Sequence, residues 1–210
     1  YLPIWGVAAA NAIDMIGLTS GTFNGSVTHG AGFVQGDAST GYFDFGVDFT
    51  GSGISQNSHM VGGLIYVADA TGTGNRSLVG NHDTPQDPFL FNVAAGNHSF
   101  FSNDGYSALA IAPLNGILIG SRTGATTKDI THRGASGITT NSASTASIGT
   151  SGSTQNFKSM ACHQGSATGD FSNAKLGSYF IGTGINLSSA ASLSASLKNL
   201  WETCTGLSLP

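Results

Sequence analysis

The sequence predicts an all-β protein: a two-sheet antiparallel β-sandwich with one short helix near its C-terminal end. Three observations carry this. Phe43, Phe45, Val47 and Phe49 sit at every second position, the two-residue period of a half-buried strand. Turn-forming residues recur every few positions (Asn24-Gly25, Gly30 to Gly32, Gly36 to Gly41), where an antiparallel sheet would reverse. Short apolar runs then follow one another at close spacing, which favours a sandwich or jelly roll over βαβ units.

Taken in order, residues 1–20 read as a lead-in segment or short helix, with Pro3 and Gly6 against a long regular element. Trp5, beside Ile4 and Val7, is expected as a core or interface anchor rather than a sugar-stacking platform. A loop over 50–58 precedes a strongly apolar strand, His59 to Asp69, and a turn over 70–74. Shorter strands are expected at 75–81, 87–93, 96–102, 106–111 and 116–123. Residues 126–140 read as a hairpin turning near Arg133-Gly134. The Ser/Thr/Gly-rich, uncharged stretch 141–156 reads as a long loop or ragged strand pair, and 157–163 and 175–181 as the last strands. The period then changes: Leu193, Leu197, Leu200/Trp201 and Cys204 fall on one face of a helix over 187–204. Ser188 or Ser189 is the expected N-cap and Gly206 the stop.

At 210 residues the chain reads as one sandwich domain, long enough to bury a sizeable core. Only 9% of its residues are charged, against roughly 25% in ordinary globular chains. With 40% apolar residues and 31 glycines, this describes a neutral, loop-rich surface rather than disorder. A net charge of −4, with four Lys and three Arg, supplies no basic stripe for nucleic acid. No run approaches the about 18 apolar residues of a membrane span. Cys162 and Cys204 read as two free buried thiols, with a single disulfide as the alternative. The start at Tyr1, without the cationic opening of a signal peptide, suggests a processed product or a piece of a longer polypeptide.

Thr28, His29, Gly32, Gly36, Asp37, Ser39, Thr40, Gly41, Tyr42 and Gly46 form a line, T-H … G … G-D-A-S-T-G-Y … G. It resembles the opening of the concanavalin A-like (laminin G-type) jelly-roll modules of tailed-bacteriophage structural proteins. Ala38 departs from that pattern, in which Gly is frequent. The Ser121-Arg122-Thr123 strand with its following turn, and Y-F-I-G-T-G-I-N-L-S-S-A at Tyr179 to Ala190, are similar to later lines of the same family. The resemblance implies a virion protein (tail fibre, spike or capsid decoration) with other virion proteins as partners, a homo-oligomeric state and no catalytic residues.

Composition bears on chemistry as well. Retaining glycoside hydrolysis needs two carboxyls about 5 Å apart. Glu202 is the only Glu in the chain, and strand-borne Asp44 and Asp48 would lie roughly 13 Å apart. Y-F-D-F-G at Tyr42 is superficially similar to a line of alginate lyases but lacks their Arg-rich strand and Gln-x-His partner. His29, His59, His82, His98, His132 and His163 are scattered without a metal-ligand grouping. Asn81-His82-Asp83 and Asn103-Asp104-Gly105 are oxygen-rich, though such triplets are first of all turn chemistry. No catalytic residue, metal or cofactor is therefore assigned. For a ligand, the candidates are Arg122, Asp129, His132 and Arg133, expected on loops of one hairpin that holds two of the three arginines. The competing reading is an ordinary salt bridge stabilising the turn. The function expected is a non-enzymatic virion structural protein, with binding of a host-surface glycan as an added role. The alternatives are a polysaccharide lyase on the same sandwich and a structural subunit with no ligand.

Overall fold

A computed structural model describes residues 1–12, 14, 16, 20–49, 54–68, 76–81, 89–93, 97–104, 109–111, 115–149, 154–164 and 167–209. The chain opens with a single helical turn, α1 (Ala8–Asn11), then β1 (Thr22–Asn24), β2 (Val27–Gly30), β3 (Phe33–Gly36) and β4 (Tyr42–Asp44). Next come β5 (His59–Val67), β6 (Arg76–Gly80), β7 (Phe89–Val93), β8 (Asn97–Phe101) and β9 (Leu109–Ile111). The strands β10 (Gly116–Arg122), β11 (Thr127–Gly134) and β12 (Gly137–Ser144) form a meander. β13 (Lys158–Ser159), β14 (Cys162–Gln164), β15 (Ala167–Gly169), β16 (Lys175–Gly182) and α2 (Leu187–Thr205) complete the chain. The expected turn over 70–74, His82 and Asp83, Gly105 and the start of the strand at Tyr106 lie outside the described residues.

Every strand pairing is antiparallel, in two seven-stranded sheets ordered β1-β4-β13-β6-β7-β8-β9 and β12-β11-β10-β5-β16-β3-β2, with β14-β15 apart. The molecule is an all-β sandwich carrying one long helix. Phe43, Leu78, Val79 and Phe100 from the first sheet pack against Val34, Val61, Ile65, Leu118, Ile130 and Tyr179 from the second. A second core lies outside the second sheet, where Leu64, Ile117 and Ile119 meet Ala190 and Trp201 of α2. This explains why β5 and β10 read as nearly continuous apolar runs: both of their faces are covered.

The aromatic alternation at Phe43 is a core feature, but its strand is shorter than expected. Phe43, Phe45 and Phe49 are buried, and Phe43 meets Tyr1 edge-on and Tyr179 at a tilt, with ring centroids 4.7 and 4.9 Å away. The strand stops at Asp44 because Gly46 takes φ +73°, its N–H donating to Asp44 Oδ1 at 2.8 Å, and Val47 turns outward. The expected strand 157–163 is likewise broken into β13 and β14 at Met160, whose φ is +66°. The hairpin runs further than expected, because β12 claims residues through Ser144.

The resembling line covers β2, β3 and β4, and its Asp37–Gly41 part folds as a turn. Asp37 Oδ1 accepts N–H groups from Ser39, Thr40 and Gly41 at 2.9, 2.6 and 2.8 Å, which holds the aspartate's pKa far below the usual carboxylate range. Ala38, the departure from the pattern, has φ +62°, the left-handed region where Gly is unstrained. Gly25 and Gly41 let two turns cross: a Cβ on either would lie 2.1 Å from a carbonyl oxygen of the other loop, Thr40 or Ser26.

Several expectations are corrected. Trp5 is 50% exposed rather than in the core. The helix is capped by Asn186, whose side chain accepts the Ser189 N–H at 2.9 Å, rather than by Ser188 or Ser189. Gly206 ends it in the left-handed conformation, as expected. The helix buries Ala190, Ser194 and Trp201, a stripe rotated from the leucine face, with Leu200 46% exposed and Cys204 exposed. Both cysteines are free thiols, but only Cys162 is buried.

Candidate functional site

Arg122, Asp129, His132 and Arg133 lie on strands β10 and β11, not on loops. Antiparallel alternation separates them. Arg122 and His132 share the inward face with Leu118 and Ile130, whereas Asp129 and Arg133 face the α2 side. The four do not converge on one surface.

Arg122 is fully buried. Its Nε donates to Ser102 O at 3.1 Å and Ser102 Oγ at 2.9 Å, and its Nη2 to Ser102 O at 2.7 Å. Nη1 reaches the carbonyls of Ala125 and Thr145 at 3.2 and 3.1 Å. Its ion pair is with Asp104, 3.4 Å away, whose carboxylate also accepts from the buried Lys128 ammonium. The salt bridge of the competing reading is thus not within the hairpin but runs to Asp104, in the segment after β8. Asp104, expected in a turn with calcium chemistry as the alternative, is turned toward two cations. Burial lowers the pKa of both Arg122 and Lys128, and the Asp104 charge opposes this. Charges so enclosed are retained by hydrogen bonds that satisfy them.

His59 lies across the ladder from Arg122. Its Nδ1 faces Ser55 O at 3.0 Å and its Nε2 faces Ser102 Oγ at 2.6 Å. A carbonyl only accepts, so Nδ1 carries the proton and Nε2 accepts from the Ser102 hydroxyl. Burial first, with the Arg122 charge adding to it, lowers the His59 pKa to about 4. The cluster is a clamp: a neutral imidazole, a hydroxyl, a guanidinium, an ammonium and a carboxylate join β5, β10 and β11 to the segment that follows β8.

The remaining candidates are also engaged. His132 Nε2 bonds Asn115 O at 2.6 Å, and burial lowers its pKa. Asp129 Oδ1 accepts from Ser142 Oγ at 2.5 Å. Arg133 fastens the helix, with Nε donating to Ser194 Oγ at 2.8 Å and Nη2 to Ala191 O at 3.1 Å. Asp104, Lys128, His59 and Ser102 went unnoticed as a group because their sequence separations are large. The one signal was a charged residue, Lys128, flanking an otherwise apolar core position at Ile130.

What faces outward is largely apolar or uncharged. Trp5, Val7 and Ile16 are 50%, 56% and 95% exposed. A groove of about 470 Å³ is walled by Leu2, Phe45, Met60 of β5, Phe180 of β16, and Leu193 and Leu197 of α2. The strand β12 is exposed at seven of its eight positions. No protein-family model matches the chain, and no curated protein is significantly similar to it.

Proposed function

We propose that this chain is a non-enzymatic structural protein of a bacteriophage virion, a concanavalin A-like jelly-roll module of a fibre, spike or capsid decoration that works by packing against copies of itself and other virion proteins. The observation that carries the reading is the disposition of its side chains. The charged and imidazole groups Arg122, Lys128, Asp104, His59 and His132 are buried in structural bonds, while Trp5, Val7, Ile16 and Leu200 stand exposed. Large exposed apolar groups beside a groove suit protein contacts; chemistry on a polar substrate needs convergent accessible polar groups. The turn built by Asp37 fits the role of the resembling line as a fold marker. Glycan recognition, if added, belongs on a surface other than the Arg122–Arg133 strands.

Immunogold electron microscopy of particles from the source, with antibodies to this chain, tests the reading. Label at a fixed position on the particle is expected. Absence of the chain from purified particles overturns it, and unsaturated products from an acidic polysaccharide treated with the pure chain overturn its non-enzymatic part. Glycan-array binding then separates receptor recognition from architecture.

A further inference from the structure

We infer that β12 is a pairing edge at which two copies of this chain join antiparallel about a two-fold axis through Asn141, fusing their second sheets into one continuous sheet. This deepens the assembly reading and takes its biological setting from it.

The strand lies at the end of its sheet, and its register with β11 runs from Gly134↔Gly137 to Thr127↔Ser144. Residues 135 and 136 close a two-residue turn, so Gly134 and Gly137 form a hydrogen-bonded pair, as do His132↔Thr139, Ile130↔Asn141 and Lys128↔Ala143. The phase is confirmed just beyond the ladder, where the Thr145 N–H donates to Thr126 O at 2.8 Å. The backbone groups of Ile138, Thr140, Ser142 and Ser144 therefore point away from β11. In keeping with this, the Ser142 N–H donates to the Asn141 side chain at 2.9 Å rather than into the ladder, a local bond that pairing exchanges for one to the second copy.

Natural sheets protect such edges with charges, proline or shortness. Among the described residues the other three edges of the two large sheets are short: β1 and β9 have three residues each and β2 has four. The strand β12 has eight, reads GITTNSAS, and contains neither a charge nor a proline. Its neutrality also points to the occupant. Two copies each carrying a net charge of −4 meet here without like charges opposite one another, and one self-complementary patch closes a two-fold dimer.

The register follows from the alternation. All four outward-facing residues have even numbers, so they engage together only when the axis passes through Asn141. Ile138 of one copy then pairs with Ser144 of the other, and Thr140 with Ser142. Sliding the axis to Thr140 leaves Ser144 unpaired. With the axis at Asn141, the two copies of that residue face each other at a non-hydrogen-bonded position, Cα atoms about 4.5 Å apart.

Sedimentation of the intact chain across micromolar to sub-millimolar concentrations tests this, together with Asn141→Lys and Asn141→Asp. The wild-type chain is expected to dimerise. Either variant alone is expected to weaken the dimer by up to about fivefold with unchanged circular dichroism, because like charges meet on the axis. Mixing the two variants is expected to restore a heterodimer by native mass spectrometry, an outcome that a misfolded variant would not produce. A wild-type monomer overturns the pairing, even one that captures a foreign extended peptide at this edge. An oligomer that neither variant weakens, or a mixture that stays monomeric, overturns it as well. An oligomer insensitive to both variants would leave the virion reading standing, whereas particles without label would leave the dimer standing.

Discussion

His59 holds its place as a neutral ring, and that state has a consequence for stability. Its pKa falls from 6.5 to about 4 on folding, so between those values the unfolded chain binds more protons. Stability then rises with pH across this window. The contribution is fully present above about pH 6.5 and is lost as pH falls toward 4. A shift of this size is worth roughly 3 kcal/mol. Burial lowers the pKa of His29 and His132 as well, which adds the same sign. The urea midpoint is expected to drop between about pH 7.5 and about pH 4.5, with the drop smaller in His59→Gln. An equal drop in that variant would refute this account of His59. Ala38 offers a second measurement. Its φ of +62° strains any residue with a Cβ, and Ala38→Gly is expected to stabilise the chain by about 0.5–1 kcal/mol in urea unfolding.

At the scale of an element, α2 depends on one side chain more than on its own propensity. Trp201 is fully buried, donates from Nε1 to Gly32 O at 2.8 Å, and meets Tyr66 at a ring distance of 5.2 Å. It lies against Gly177, where a Cβ would come within 2.6 Å of the indole nitrogen. Gly177 is the residue skipped by the register shift in β16, so the bulge and the tryptophan fit each other. Trp201→Ala is expected to cost about 3–5 kcal/mol, read from the denaturant midpoint at unchanged m-value. A loss below about 1 kcal/mol would mean that the helix is held elsewhere.

For the whole molecule, the second sheet has a core on both faces, and α2 supplies one of them. Truncation after Asn186 bares Leu64, Ile117 and Ile119, each at most 1% exposed in the intact chain. At roughly 2 kcal/mol for each large apolar side chain uncovered, the loss is comparable to a domain's total stability. The truncated chain is expected to bind a hydrophobic dye or to precipitate, while the intact chain unfolds cooperatively. A soluble truncated sandwich with an unchanged midpoint would show the outer core to be dispensable.

Much of this architecture is local in origin and was legible in the amino-acid order. The turns at Asn24-Gly25 and Gly36–Gly41, the strand at His59 and the helix ending at Gly206 follow from backbone preference and side-chain period, which neighbouring residues set among themselves. Which way a side chain faces depends instead on what lies across from it. Arg122 falls at the end of an expected strand, but its burial required Ser102 and Asp104 from the segment after β8 and Lys128 from β11. The leucine period of α2 announced a helix, yet the face presented to the sheet was chosen by Trp201 seating over Gly177. The uncharged stretch from Asn141 left loop and ragged strand pair both open, since β12 is held by its ladder with β11 rather than by apolar alternation. By itself the sequence determined where the chain turns and which segments extend. The tertiary structure alone decided which polar groups are enclosed and which strand ends the described sheet, because burial and pairing are properties of residues far apart in the chain.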